Sequence, residues 1–170
     1  EYIDILPIYT KTGKTEILKI TLEAIKSAKK EILIENAYFS DDQVIKELIK
    51  ARQRGVEVKI ILPYWGNHNI MNSSNMVTAN ILMQSGIKVY LYPKMNHVKA
   101  SIFDGFAMVG TANYDKLSMR VNQEINFCFW DENAVDTLKR DLFDKDFKES
   151  MLLSGEYPIF LLDYLLEKVA

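Results

Sequence analysis

The sequence predicts an α/β fold: a mixed β-sheet flanked by helices on both faces, an αβα sandwich. Two observations carry that prediction. The order helix, glycine, strand, proline occurs twice, about thirty residues apart, which is the length of a parallel crossover unit. Later, Asp104-Gly105 joins two strand-like runs, HVKASIF and FAMVG, and such a pair is a strong two-residue hairpin signal. The first half therefore reads as parallel and the second as antiparallel. No low-complexity linker interrupts the 170 residues, so 1–170 read as one domain with its own core.

Each element has its own reason. YIDILPIY (2–9) reads as a strand start. In 14–29, Leu18, Leu22 and Ile25 recur at helical spacing among lysines and glutamates, an amphipathic helix. EILIEN (31–36) is a short apolar run, read as a buried strand. Ser40 with Gln43 three residues later is a capping-box pattern. It opens a helix with Val44, Ile45, Leu48 and Ile49 on one face, and Gly55 sits where a C-terminal cap belongs. VEVKIILP (56–63) is the next strand. A helix through roughly 73–84, Gly86 and the strand IKVYLYP (87–93) repeat the unit. After the hairpin, VNQEINFCFW (121–130) alternates and reads as a strand. Residues 131–149 form one helix, and 158–170 a final amphipathic helix whose apolar face packs on a core, a partner or a membrane surface.

Composition narrows the function classes. Hydrophobic residues make up 48% and charged residues 26%, a globular balance. The formal charge of −2 argues against a wide basic groove, although local patches still decide nucleic-acid binding. The single Cys128 excludes an internal disulfide, fits a reducing compartment, and reads as core. No apolar run reaches membrane-spanning length, so the chain is expected to be cytoplasmic or membrane-peripheral. It begins at Glu1 rather than methionine, which points to processing or to a longer parent, so any anchor would lie outside it.

The chemistry concentrates in NHVKASIFDGFAMVGTAN (96–113). On a strand, residues i and i+2 share a face, so His97 and Lys99 look out together, and Ser101 and Phe103 continue that face. The turn returns the second strand beside the first. Gly110-Thr111-Ala112-Asn113 then lies near the open end of the hairpin, close to His97 and Lys99. Taken alone, each residue has an ordinary reading: a surface histidine, a solvated lysine, a turn. Together they make a phosphate site. Lysine brings charge, Thr111 and Asn113 bring directional hydrogen bonds, and imidazole brings a nucleophile or proton carrier near neutral pH. His68, in YWGNHN, reads as an exposed loop residue. Asn36 and Tyr38 close a strand at a loop, where α/β sheets host ligands, so they are candidates to line the pocket. No histidine or cysteine has zinc-ligand spacing, and no cofactor is expected.

These residues resemble a known family. H-x-K-x4-D followed by G-[ST]-x-N is the signature of the phospholipase D superfamily, the HKD motif. His97, Lys99, Asp104, Gly110, Thr111 and Asn113 fill it. AYFSDD is similar to the family's Tyr-Phe-x-x-Asp entry, and ARQRGVEVKIILP and MQSGIKVYLYP to its helix-to-strand blocks. In ANYDKLSMRVNQEINF, Asn122 and Glu124 match its N-x-E. The likeness covers roughly 30–150 and is nearest to cardiolipin synthases. Two departures stand out. The hairpin is one residue shorter than is common, and Leu117-Ser118 replaces an Arg-Ser pair, leaving Lys116 and Arg120 as the cations nearby.

The resemblance implies roles. Two such cassettes meet across a pseudo-twofold axis. One histidine forms a phosphohistidine; the other protonates the leaving alcohol and activates water or an acceptor alcohol. Here His97 would be one of that pair. Lys99, Thr111 and Asn113 would bind phosphoryl oxygens, and Glu124 would orient His97. Asp104 would be structural, since it sits in the turn. Only one H-x-K is present, so the partner half comes from a second copy or from a missing segment. The expected substrate is a phospholipid, with peripheral membrane contact. Rival readings are a homodimeric endonuclease on DNA or RNA, with Lys94, Lys99, Lys116 and Arg120 as a basic rim, and a non-catalytic half-domain.

Overall fold

The computed structural model describes residues 3–64 and 69–158. His68, Trp65 and the expected helix after Pro158 fall outside the described residues.

Strands β1 (Leu6–Lys11), β2 (Lys14–Thr15), β3 (Glu31–Asn36), β4 (Glu57–Pro63), β5 (Lys88–Tyr92), β6 (Lys99–Phe103), β7 (Phe106–Gly110), β8 (Glu124–Phe129) and β9 (Met151–Leu152) form one sheet. Their order is β2-β1-β8-β7-β6-β3-β4-β5-β9. Only β3, β4 and β5 run parallel. Their crossovers are the helices α2 (Asp42–Gln53) and α3 (Asn69–Gln84), so the repeated unit of the sequence is the parallel core of the sheet. Strand β6 then joins β3 antiparallel and opens the meander β6–β7–β8–β1.

Both faces of the sheet centre are covered. Ile32, Ile34, Ile60, Leu62, Val89 and Leu91 pack under α1 (Glu16–Ser27), α2 and α3, which contribute Ile17, Ile25, Leu48 and Leu82. The alternate residues Leu33, Ile61, Ala100, Ile102 and Ala107 meet Val135 and Phe143 on the other face. Strand β3 is thus apolar on both sides, as a central strand must be. The outer face of β1 and β8 is different: Pro7, Tyr9, Ile125 and Phe127 stand exposed, with no helix over them among the described residues.

Four expectations change. The helix α2 is capped by Asp41, not Ser40: Asp41 Oδ1 accepts from Gln43 N (3.0 Å) and Val44 N (3.1 Å), while Ser40 Oγ is buried without a partner. An aspartate at this place also carries charge toward the helix N-terminus and a second oxygen for an ion pair. The helix expected at 131–149 is α5 (Glu132–Leu138), a π-helical turn (Lys139–Phe143) and α6 (Asp144–Glu149). The first strand begins at Leu6, later than expected, and pairs with the short β2 across a turn at Thr12-Gly13. Helix α3 starts at Asn69, before the expected 73. The short helix α4 (Lys116–Arg120) follows the Gly-Thr-x-Asn turn, capped by Asp115, which accepts from Ser118 N at 2.7 Å.

Candidate active site

The hairpin β6–β7 has two ends with different chemistry. At the closed end Asp104 takes a left-handed backbone, φ 52°, which short polar side chains tolerate. Its carboxylate accepts from the backbone N–H groups of Lys29 (2.8 Å), Lys30 (3.0 Å) and Glu31 (2.9 Å). Burial alone would raise this carboxyl. The three donors, with the Lys30 charge, outweigh it and hold Asp104 below the usual carboxylate range. Asp104 therefore pins the entry of β3 to the hairpin, at the sheet end away from His97.

At the open end, Lys99 pairs in register with Asn36, the last residue of β3, so the site sits at the carboxyl ends of the parallel strands. Strand β6 begins at Lys99, and His97 lies in the non-strand segment just before it, exposed. The half-buried Lys99 ammonium donates to the His97 carbonyl at 2.8 Å. Burial pushes this ammonium below its ordinary value, and the charges of Glu124 and Asp115 pull it back. Those two carboxylates are thus electrostatic neighbours of Lys99.

Glu124, at the start of β8, faces the same end. One of its oxygens accepts from Thr111 Oγ1 at 2.5 Å, the other from Ser118 Oγ at 3.0 Å. A carboxylate has further lone pairs, so these bonds fix its orientation without exhausting it. Thr111 Oγ1 also receives Ile125 N at 3.1 Å. Gly110 is required by close approach: a Cβ there would stand 2.2 Å from Asn126 Oδ1 and 2.3 Å from Ile125 O. Only glycine lets β7 lie this close to β8 where Thr111 must meet Glu124.

Asn113 is held by its backbone neighbours. Ala112 O accepts from Asn36 Nδ2 (3.4 Å), Tyr114 N donates to Tyr38 O (3.0 Å), and Tyr114 O accepts from Ser40 N and Asp41 N. Its own Oδ1 is buried with no hydrogen-bond partner among the described residues, an unusual state for a side-chain amide. Asn36 and Tyr38 are placed differently from a pocket wall. Asn36 is 2% exposed, and its Oδ1 accepts from Tyr38 N and Tyr114 N, so its amide brackets backbone. Tyr38 is buried, and that burial raises its phenol.

Four contacts were not legible as such. Arg120 forms an ion pair with the fully buried Asp41, while Lys116 reaches the exposed Asp42 at 3.6 Å. The arginine missing at Leu117 is thus matched by one a helical turn later. Ser118 steers Glu124, which its position after Leu117 does not announce. Asn96 joins the segment before Lys99 to buried Glu35, sixty-one residues away. Among the described residues no group of three or more His, Cys, Asp or Glu side chains is placed to hold a metal ion.

The fold is that of the phospholipase D class. A family model described as cardiolipin synthase, PLD-like domain, matches residues 21–147, and the chain belongs to that family. It is 36% identical over 144 residues to the probable cardiolipin synthase YwiE of Bacillus subtilis, covering 83% of this chain and 29% of that protein. It is 34% identical over 138 residues to a cardiolipin synthase of Listeria monocytogenes, covering 79% and 28%. The chain thus spans less than a third of the length of these relatives. Among solved structures, Nuc from Salmonella typhimurium, a phospholipase D family member, superposes with a TM-score of 0.78 at 21% identity, covering 89% of this chain and all of that one. Phosphatidylserine synthase from Haemophilus influenzae superposes with 0.72 at 14% identity, covering 97% and 44%. These two likenesses concern the fold.

Proposed function

We propose that the chain supplies half of a site for phosphodiester transfer on phospholipids, completed by a second HKD half. His97 is one of two facing histidines. One imidazole nitrogen bonds to phosphorus while the phosphorus–oxygen bond to the leaving alcohol breaks. The second histidine gives that oxygen its proton. It then takes a proton from an acceptor alcohol or water, which attacks phosphorus and frees the first imidazole. Lys99, Thr111 and Asn113 hold the phosphoryl oxygens, and Glu124 fixes the tautomer of His97.

The observation that carries this reading is the open end of the hairpin. It gathers a half-buried ammonium, an oriented carboxylate and an amide oxygen buried without a partner beside an exposed histidine. The relatives favour a phospholipid over a nucleic acid. The basic rim expected for a nucleic acid is also depleted, since Arg120 and Lys116 face Asp41 and Asp42. The bare apolar strip of Pro7, Tyr9, Ile125 and Phe127 adjoins Thr111 and Glu124 and is the face on which the second half would seat. That half is a second copy or a segment of a longer chain. No helix among the described residues is long and apolar enough to cross a membrane.

The test is substrate competition. The full-length protein is given phosphatidylglycerol vesicles or plasmid DNA. Release of glycerol, or formation of a two-phosphate lipid, supports the proposal; nicking of the plasmid with no change in the lipid overturns it.

A further inference from the structure

Glu35 is used by none of the chemistry above, yet it is an ionisable group only 1% exposed near the end of a central strand. It lies on the sheet face opposite Asn36. Its neighbours in register on β4 and β6 are Ile61 and Ala100, which offer it no charge. Its polar company comes from two other places. Asn96 Nδ2, in the segment before β6, donates to Glu35 Oε1 and also reaches Asp146 Oδ2 of α6 at 3.5 Å. The same Asn96 accepts Val98 N on its Oδ1 at 2.8 Å. Asn96 thus clamps the backbone on either side of His97, and two carboxyl groups clamp Asn96. Glu35 Oε2 is buried with no hydrogen-bond partner among the described residues, which a proton directed at Asp146 would resolve.

We infer that Glu35 and Asp146 share one proton and, through Asn96, act as positioning residues that hold the segment carrying His97. The inference rests on the reading of His97 as a reacting group only for its consequence in turnover. The physical basis is independent. A buried carboxyl group beside a second carboxyl cannot ionise cheaply. Burial first, then the proximity of Asp146, pushes Glu35 up to about 9, against the pull of the Asn96 donor. Two other titratable groups adjoin the cluster. Tyr92 of β5 donates to Glu149 of α6 at 2.9 Å, and that bond, first among its causes, holds the phenol above its ordinary value. Tyr92 thus titrates above the window of Glu35. Loss of the shared proton leaves two anions that repel each other across one amide donor, and the Asn96 side chain is then redistributed between them.

The test reads the segment directly, by nitrogen-15 NMR of the full chain between about pH 6 and pH 10. In the wild type, the Asn96 side-chain amide and the Val98 amide shift together with a midpoint near the Glu35 value of about 9. Glu35→Gln removes this step, because a carboxamide accepts from Asn96 and donates to Asp146 at every pH. Asp146→Asn, at a less buried position, lowers the midpoint instead, because the neighbouring carboxyl is gone while burial still raises Glu35, and it serves if Glu35→Gln does not fold. Asn96→Ala displaces the His97 ring signal at all pH values while the core amides of Ile60 and Ile102 stay in place. A step that persists in Glu35→Gln, a midpoint unmoved in Asp146→Asn, or a His97 signal unmoved by Asn96→Ala, overturns the inference. Turnover does not enter these readouts, so they stand or fall apart from the catalytic role of His97.

Discussion

The two ends of the β6–β7 hairpin are built from the same few residue types and do opposite things. At the closed end Asp104 is saturated, with three backbone N–H donors on its carboxylate. At the open end Asn113 Oδ1 is buried with no partner among the described residues, and the half-buried Lys99 ammonium reaches a carbonyl at 2.8 Å. A saturated polar group stabilises a fold. An unsaturated one, held in place by its neighbours, costs stability and is left for a ligand. The comparison teaches that the aspartate in the HKD motif and the lysine five residues before it serve different masters.

Substitutions break this contrast in order of effect. Lys99→Met should lower turnover at least about a hundredfold, the scale of one charged group at a developing anion. It should leave stability unchanged or slightly raised, since a desolvated ammonium is removed. Urea melts beside steady-state rates check both halves of that statement. Asp104→Ala should do the reverse. It strands three backbone donors and puts alanine at a positive φ, costing about 2–4 kcal/mol, while rates per folded molecule hold. The pH dependence has a definite sign. The Asp104 carboxyl is depressed in the fold, so its contribution is present at neutral pH and above. It is lost as pH falls through its folded value, below the usual carboxylate range. Acid titration of stability, wild type against Asp104→Asn, would show the difference.

A smaller effect separates the two cations of α4. Arg120→Ala leaves Asp41 buried with only its cap bonds and should cost about 1–3 kcal/mol. Lys116→Ala breaks an exposed pair and should cost under about 0.5 kcal/mol. Equal losses in thermal or urea unfolding would mean that Arg120 does not stand in for the arginine absent at Leu117.

The parallel half of the fold was legible because its signals are local. Glycine and proline punctuate each crossover, and EILIEN and VEVKIILP are short runs rich in isoleucine, leucine and valine. The hairpin was legible from Asp-Gly. The candidate site was legible as a list of residues because H-x-K and G-T-x-N are each short enough to be held by one strand and one turn. What failed was competition between neighbours and contact at a distance. Ser40 and Asp41 are both capping residues, and the aspartate that caps also pairs with Arg120, seventy-nine positions away, a contact no local signal announces. Asn36 reads as a pocket residue at a strand end until Ala112 and Tyr114 claim its amide. The stretch 131–149 keeps helical composition throughout, so nothing local marks the π-helical turn at Lys139–Phe143.

The central claim is that His97 performs chemistry at the open end. The most direct measurement is turnover of phosphatidylglycerol by the full-length protein carrying His97→Asn, with its fold checked by circular dichroism. The account predicts a loss of at least about a thousandfold with an unchanged spectrum. Turnover at the wild-type rate in a folded His97→Asn protein would contradict it.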